Sequence, residues 1–213
     1  MTRKRLGILI SGRGSNMEAL LKAAQQDDWP CAPVLVVANK PDAGGLEKAR
    51  MFGVEATAID HKPFGKDREA FERTMDQALR EAGVELVALA GFMRVLTPWF
   101  VNAWAGRLIN IHPSLLPKYP GVDTHKRCLE AGDKTHGCTV HQVTAGVDEG
   151  PAIGQAEIDV LAGDTPGTLA ARVLKAEHIL FPRCVAAAAR SDTSRVRETV
   201  VVDGVEIRLN APR

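Results

Sequence analysis

The sequence predicts an α/β protein whose sheet is largely parallel and flanked by helices. Three observations lead there. Short, near-continuous apolar runs at residues 6–10, 33–38 and 84–90 have the length and character of strands buried on both faces. Between them apolar residues recur at helical spacing, as Met17, Leu20, Leu21 and Ala24 and again as Phe71, Met75, Ala78 and Leu79. Strand–helix–strand repetition implies right-handed crossovers and parallel pairing.

The elements follow in order. Residues 107–111 read as a further strand, and the loop HPSLLPKYPG (112–121) follows it. Its three prolines exclude a helix interior or a central strand, so the loop is expected to be held by shape and not by ladder bonds. Residues 137–143 and 152–160 read as two more strands, joined by a turn-rich link. Thr165 and Pro166 make a helix start, a capping hydroxyl before a first-turn proline, and Leu169, Val173, Ala176 and Leu180 form the apolar stripe behind it. Near the end, Asp203 and Gly204 separate two alternating runs, the signal of a type I′ hairpin. With no internal repeat or linker, one domain is expected.

Bulk composition narrows the function. The 213 residues suffice for a core without staples, and 45% hydrophobic with 25% charged residues is an ordinary globular balance. A net charge of +1 provides no electrostatic footprint for nucleic acid or an anionic membrane. Cys31, Cys128, Cys138 and Cys184 show neither a C-x-x-C pair nor zinc spacing and read as reduced, buried thiols, which suits a reducing compartment. The basic start is followed by an apolar run shorter than a signal peptide needs, and far short of the about 20 residues of a membrane span.

Two stretches carry candidate chemistry. SGRGSN (11–16) lies between the first strand and the first helix, where glycines permit a tight turn and a helix N-terminus favours an anion. Ser15 and Glu18 equally match a capping box that would satisfy the first-turn amides with no ligand. A dinucleotide fingerprint fails, because Met17 stands where the third glycine belongs and no ribose-binding acid follows the second strand at Asn39 and Lys40. The second stretch places Asn110 and His112 two apart at a strand end, on one face of the sheet edge where α/β proteins bind ligands. An amide can donate to an oxyanion and a histidine can switch protonation near neutrality. Asp148, in the turn-forming GVDEGP (146–151), is either an ordinary turn aspartate or a carboxylate that holds the histidine as imidazolium. His136 and His141 read as packing or capping residues. Neither a nucleophile elbow nor a zinc motif is present.

Five stretches in order, ISGRGSN (10–16), AGFMR (90–94), NIHPSLLPKYPG (110–121), HGCTVH (136–141) and VDEGP (147–151), together resemble the monofunctional, folate-dependent phosphoribosylglycinamide formyltransferases over nearly the whole chain. The resemblance implies a Rossmann-like, largely parallel sheet flanked by helices with a C-terminal β-hairpin. It implies one formyltransferase domain over 1–213, with a phosphate-binding half at about 1–100 and a folate and catalytic half at about 101–213. The implied reaction carries the formyl group of 10-formyltetrahydrofolate to the amine of glycinamide ribonucleotide in purine (IMP) synthesis, in the cytoplasm, without metal. Its partners would be those two small molecules, with no nucleic acid or membrane, in a monomer or homodimer.

By the same resemblance Asn110 and protonated His112 stabilise the tetrahedral oxyanion, while Asp148 maintains the imidazolium and assists proton transfer. Gly14, Ser15 and Asn16 would take the ribonucleotide phosphate and Glu177 the sugar. The folate would lie against Met93, Arg94, Val95 and Leu96, Asn110, and the turn Thr144, Ala145, Gly146, Val147 and Asp148, with Arg68 farther out. Arg13, in the phosphate turn, could add charge or face solvent, and Cys138 is assigned to packing. Methionyl-tRNA formyltransferase is expected to carry a further C-terminal domain and a basic surface, and formyltetrahydrofolate deformylase an N-terminal regulatory domain. A non-catalytic nucleotide-binding relative would bind ligand without turnover.

Overall fold

The structure, a computed structural model, describes residues 2–191, 198–202 and 204–210, with no account of the side chains of Glu198 and Thr199. It comprises two compact units, Met1–Asn110 with Val143–Ala145, and Ile111–Gln142 with Gly146–Arg213.

In the first unit the strands are β1 (Lys4–Ile10), β2 (Cys31–Ala38), β3 (Glu55–Ala58), β4 (Leu86–Leu89) and the first three residues of β5 (Leu108–His112). They lie in the order β3-β2-β1-β4-β5, and every pair is parallel. The helices are α1 (Ser15–Ala23), α2 (Gly45–Met51), α3 (Arg68–Glu81) and α4 (Pro98–Ala103). Leu9, Val37, Val87 and Leu108 from the strands bury against Phe71, Met75 and Leu79 of α3 and against Phe100 and Trp104. Asp67 caps α3 by accepting from the Ala70 amide at 2.9 Å. The helix packs so close to β1 that a Cβ on Gly7 would stand 2.7 Å from Leu79. Order along the sheet reverses between β1 and β4, the switch point outside which α/β proteins hold ligands.

The second unit contains the end of β5, then α5 (Thr124–Ala131), β6 (Thr135–Gln142), β7 (Ala152–Asp159), α6 (Pro166–Arg190), β8 (Glu198–Val202) and β9 (Val205–Asn210). Strands β6, β7, β9 and β8 are neighbours in that order, all antiparallel. Helix α6 begins as the sequence predicts, with the Thr165 hydroxyl accepting from the Thr168 amide and Thr168 returning the bond. Its buried stripe is Leu169, Val173, Ala176 and Leu180, as expected. Val202 pairs with Val205, and Gly204 has φ 76°; Asp203, the other residue of the predicted turn, lies outside the described residues.

Several expectations are corrected. Strand β3 is absent from the sequence reading because EATA is short, barely apolar and only partly buried at the sheet edge. The brief helices α2, α4 and α5 offer too few turns for a helical period to register. The Ser15–Glu18 capping box does not form. Gly14 occupies the N-cap with a left-handed backbone and no side-chain bond, and Glu18 binds Lys22 and Lys48 instead at 2.8 and 2.9 Å. Those two ammonium groups hold its carboxyl down at about 2.

Candidate active site

The turn after β1 owes its shape to glycines on two segments. Gly14 has φ 69°, and a Cβ there would meet the Gly45 Cα at 3.0 Å. Gly45 donates to the Gly12 carbonyl at 3.0 Å, and a Cβ on it would collide with Ile10 at 2.5 Å. The start of α2 is thus pressed against the turn, a contact only two glycines permit. Gly14, Ser15 and Asn16 line a cavity of about 220 Å³ together with Arg13, Lys40 and Met93. Arg13 therefore borders the cavity, and Lys40 joins it from the end of β2. Two cations beside the first turn of a helix make a place for a small anion. Lys40 was missed in the sequence because the fingerprint test sought an acid at that point and gave its cation no role.

The segment after β4 is fastened to the same cavity. The Met93 amide donates to the Ser11 hydroxyl at 2.8 Å. The Arg68 guanidinium donates to the Val95 carbonyl, and the Arg94 guanidinium stacks on the Phe71 ring. Glu72, only 2% exposed, accepts from the Thr97 amide at 2.8 Å and from the Thr97 hydroxyl. The outer apolar side chains stay in solvent, with Met93 75% and Val95 61% exposed, while Arg94 and Leu96 are half-buried. Exposed apolar side chains beside a polar cavity are the kind of surface a flat aromatic ring covers. Thr144 and Ala145, also in this unit, are exposed; Asn110 ends the unit half-buried on β5.

In the second unit the buried His112 ring lies against the half-buried Asp148 carboxylate, Nδ1 to Oδ2 at 3.3 Å. The His112 Nε2 donates to the Tyr119 carbonyl at 2.9 Å. Asp148 has φ 57°, a left-handed turn conformation aspartate tolerates, and Oδ2 accepts from the Gly121 amide at 2.9 Å. Its Oδ1 lies 3.5 Å from the Nε2 of His141. Burial alone would push the Asp148 carboxyl up; the His141 and Gly121 hydrogen bonds and the charges of both rings outweigh it and hold it below its ordinary range. Gly146 and Val147 precede it in the same turn, half-buried and exposed respectively. Glu177, on α6, is buried in this unit. His141, read from the sequence as a packing or capping residue, thus neighbours Asp148, which stands seven residues away through a turn.

The proline loop is fixed by side chains as well as by shape. The buried Ser114 hydroxyl donates to the Lys118 carbonyl at 2.6 Å, Thr139 donates to Ser114 at 2.7 Å and accepts from the Leu116 amide at 3.0 Å, and Gln155 donates to the Leu116 carbonyl at 2.8 Å. Nearby, His136 and His125 pair at 3.1 Å, and burial with the neighbouring ring charges pushes His136 down to about 4. Among the described residues no group of three or more histidine, cysteine or acidic side chains could hold a metal ion.

This architecture is that of an enzyme class known from its sequence model. A family model described as "Formyl transferase" matches residues 4–185. The chain is 46% identical to the phosphoribosylglycinamide formyltransferase of Escherichia coli (strain K12) over 175 residues, 82% of either protein. With relatives of this similarity, the chain belongs to the phosphoribosylglycinamide formyltransferase family. A crystal structure of phosphoribosylglycinamide formyltransferase from Brucella melitensis superimposes with a TM-score of 0.84 at 49% identity, covering 88% of this chain and 96% of that one. The chain is also 48% identical over 186 residues to the trifunctional purine biosynthetic protein adenosine-3 of Drosophila melanogaster; that match takes in 86% of the chain and spans 14% of the length of the longer relative.

Proposed function

We propose that the chain transfers the formyl group of 10-formyltetrahydrofolate to the amine of glycinamide ribonucleotide, a step of purine synthesis. The pairing of buried His112 with Asp148 is the observation that carries the reading, because a carboxylate beside the ring favours the charged donor that an acyl-transfer intermediate needs. The ribonucleotide phosphate rests on the turn of Gly14, Ser15 and Asn16 between Arg13 and Lys40, and Glu177 binds its sugar. The folate ring lies on Met93, Arg94, Val95 and Leu96 with the turn from Thr144 to Asp148, and Arg68 meets its outer end.

The amine nitrogen attacks the formyl carbon, and the carbonyl electron pair moves onto oxygen. Asn110 and the His112 imidazolium donate to that oxyanion. A proton leaves the attacking nitrogen and another reaches the folate nitrogen as its bond to carbon breaks; Asp148 assists this exchange and keeps His112 charged. The His112 Nε2 is already engaged by the Tyr119 carbonyl, so donation through that atom requires the carbonyl to yield. The reaction takes place in the cytoplasm, a location that suits four free, buried cysteines. Among the described residues no helix is long and apolar enough to cross a membrane.

Single-turnover transfer, comparing the wild-type chain with Asp148→Asn, tests the reading. Rapid formation of formylated ribonucleotide and a loss of at least about a hundredfold in the variant, the usual scale for a proton-transfer group, are expected. Release of tetrahydrofolate and formate with no formylated ribonucleotide would replace the transferase by a hydrolase. Binding of both compounds without reaction would leave a binding protein.

A further inference from the structure

Asp148 faces two histidines, and only one of them has a part in the chemistry above. His141 lies on β6, 2% exposed, with Nδ1 2.8 Å from the Gln142 carbonyl and Nε2 3.5 Å from Asp148 Oδ1. A carbonyl oxygen only accepts, so Nδ1 carries a hydrogen. The opposite nitrogen faces a carboxylate, which also only accepts, and a lone pair there would be repelled. Both nitrogens of this ring thus face atoms that only accept. His112 repeats the arrangement, between the Tyr119 carbonyl at 2.9 Å and Asp148 Oδ2 at 3.3 Å. One carboxylate thus joins two rings, one oxygen to each.

The backbone is shaped to bring them together. The Gln142 amide donates to the Pro151 carbonyl at 2.9 Å, tying the end of β6 to the far side of the turn. A Cβ on Gly150 would stand 1.7 Å from the Gln142 carbonyl oxygen and 3.4 Å from the His141 Nδ1. Only glycine allows that approach, and the approach sets Asp148 over His141.

We propose that His141 is a positioning residue for formyl transfer. Anchored by the Gln142 carbonyl, it fixes Asp148 through Oδ1 and leaves Oδ2 to His112 and the Gly121 amide. Two imidazoliums against one carboxylate keep one net positive charge in the cluster, where the reaction develops a negative one. The groups that face the carboxylate are His112 from β5, His141 from β6 and the Gly121 amide from the proline loop. Beyond them His125 on α5 and His136 on β6 feel the charge of His112. Loss of the His141 donor removes one of the contacts that hold the Asp148 carboxyl down, so Asp148 would take up a proton at higher pH. The inference rests on the catalytic reading of His112 and Asp148.

The test is single-turnover transfer by the full chain from pH 3 to 9 in wild type, His141→Leu and His141→Gln, a range that takes in the titration of Asp148. His141→Leu is expected to lower the rate about tenfold, the worth of one charge-assisted hydrogen bond, with both KM values within about twofold. The acidic limb of its rate profile should move to higher pH. His141→Gln, which donates without charge, should recover part of the rate and bring the displaced limb part of the way back. A rate loss with an unmoved limb would reduce His141 to packing and overturn the proposal. Ring spectra of [15N]histidine-labelled protein, free of substrate, separate this from the transferase reading. They should show His141 protonated at both nitrogens at pH 7 in wild type and no longer so in Asp148→Asn. A neutral His141 ring in wild type overturns the proposal whatever the turnover. A doubly protonated ring in a chain that formylates nothing would instead overturn the transferase reading, and the positioning role with it, while the ring pairing stood.

Discussion

A lysine at the end of a strand carries no message in a sequence, and Lys40 acquires one only when folding sets it on the cavity that Gly14, Ser15 and Asn16 line. If that cavity takes the ribonucleotide phosphate, the ammonium contributes one charge-assisted contact, worth about 1.5 kcal/mol or roughly tenfold in affinity. Lys40→Ala is therefore expected to raise the KM for ribonucleotide by three- to tenfold, with kcat and the folate KM unchanged. Steady-state kinetics with each substrate varied in turn decide it; an effect on the folate KM alone would move the phosphate elsewhere. The Asn110/His112 spacing on one strand was legible for the opposite reason: both residues belong to one run whose alternation fixes their faces in advance.

Among the elements, α3 has the most to do with the segment after β4. One turn of it presents Arg68 to the Val95 carbonyl, Phe71 to the Arg94 guanidinium and the buried Glu72 to Thr97. These contacts are at positions i, i+3 and i+4, one helical face. Its apolar stripe announced the helix, while the polar work of that face was hidden because glutamate and arginine on a helix read as solvated charges. Glu72→Ala leaves the Thr97 amide and hydroxyl without their carboxylate partner, a loss of about 1–3 kcal/mol. The expected result is a lower unfolding midpoint in urea and a raised KM for folate, with the ribonucleotide KM kept. An unaltered folate KM in a destabilised variant would limit Glu72 to stability.

At the scale of the whole molecule, buried histidines make stability depend on pH. His136, 1% exposed beside His125, is pushed from its ordinary 6.5 down to about 4, chiefly by burial and then by the His125 and His112 charges. As pH falls through 6.5 the unfolded chain takes up a proton that the folded chain refuses until about 4. The unfolded state holds more protons across that window, so stability is full above it and declines through it. Asp148, held below its ordinary 3.8, adds stability that is lost only on further acidification. Urea unfolding midpoints measured between pH 7.5 and 4.5 should fall with acid in wild type and fall less steeply in His136→Asn. Equal slopes would remove His136 from the account.

The sequence by itself determined the α/β class, the buried strands of the parallel sheet, the capped start of α6 and the formyltransferase family. Those features are written locally, in apolar period, in caps and in unbroken motifs, and local writing survives without coordinates. Tertiary structure decided which neighbours the motifs acquire. It set Gly45 against Gly14, Lys40 on the cavity, Glu72 on Thr97 and His141 on Asp148, contacts between segments that no spacing relates. It also withheld the Ser15–Glu18 capping box, because Gly14 could turn left-handed at the N-cap and two lysines competed for the glutamate. A side chain's partner across the fold depends on how whole elements pack, and that information is spread over the chain instead of standing beside the residue.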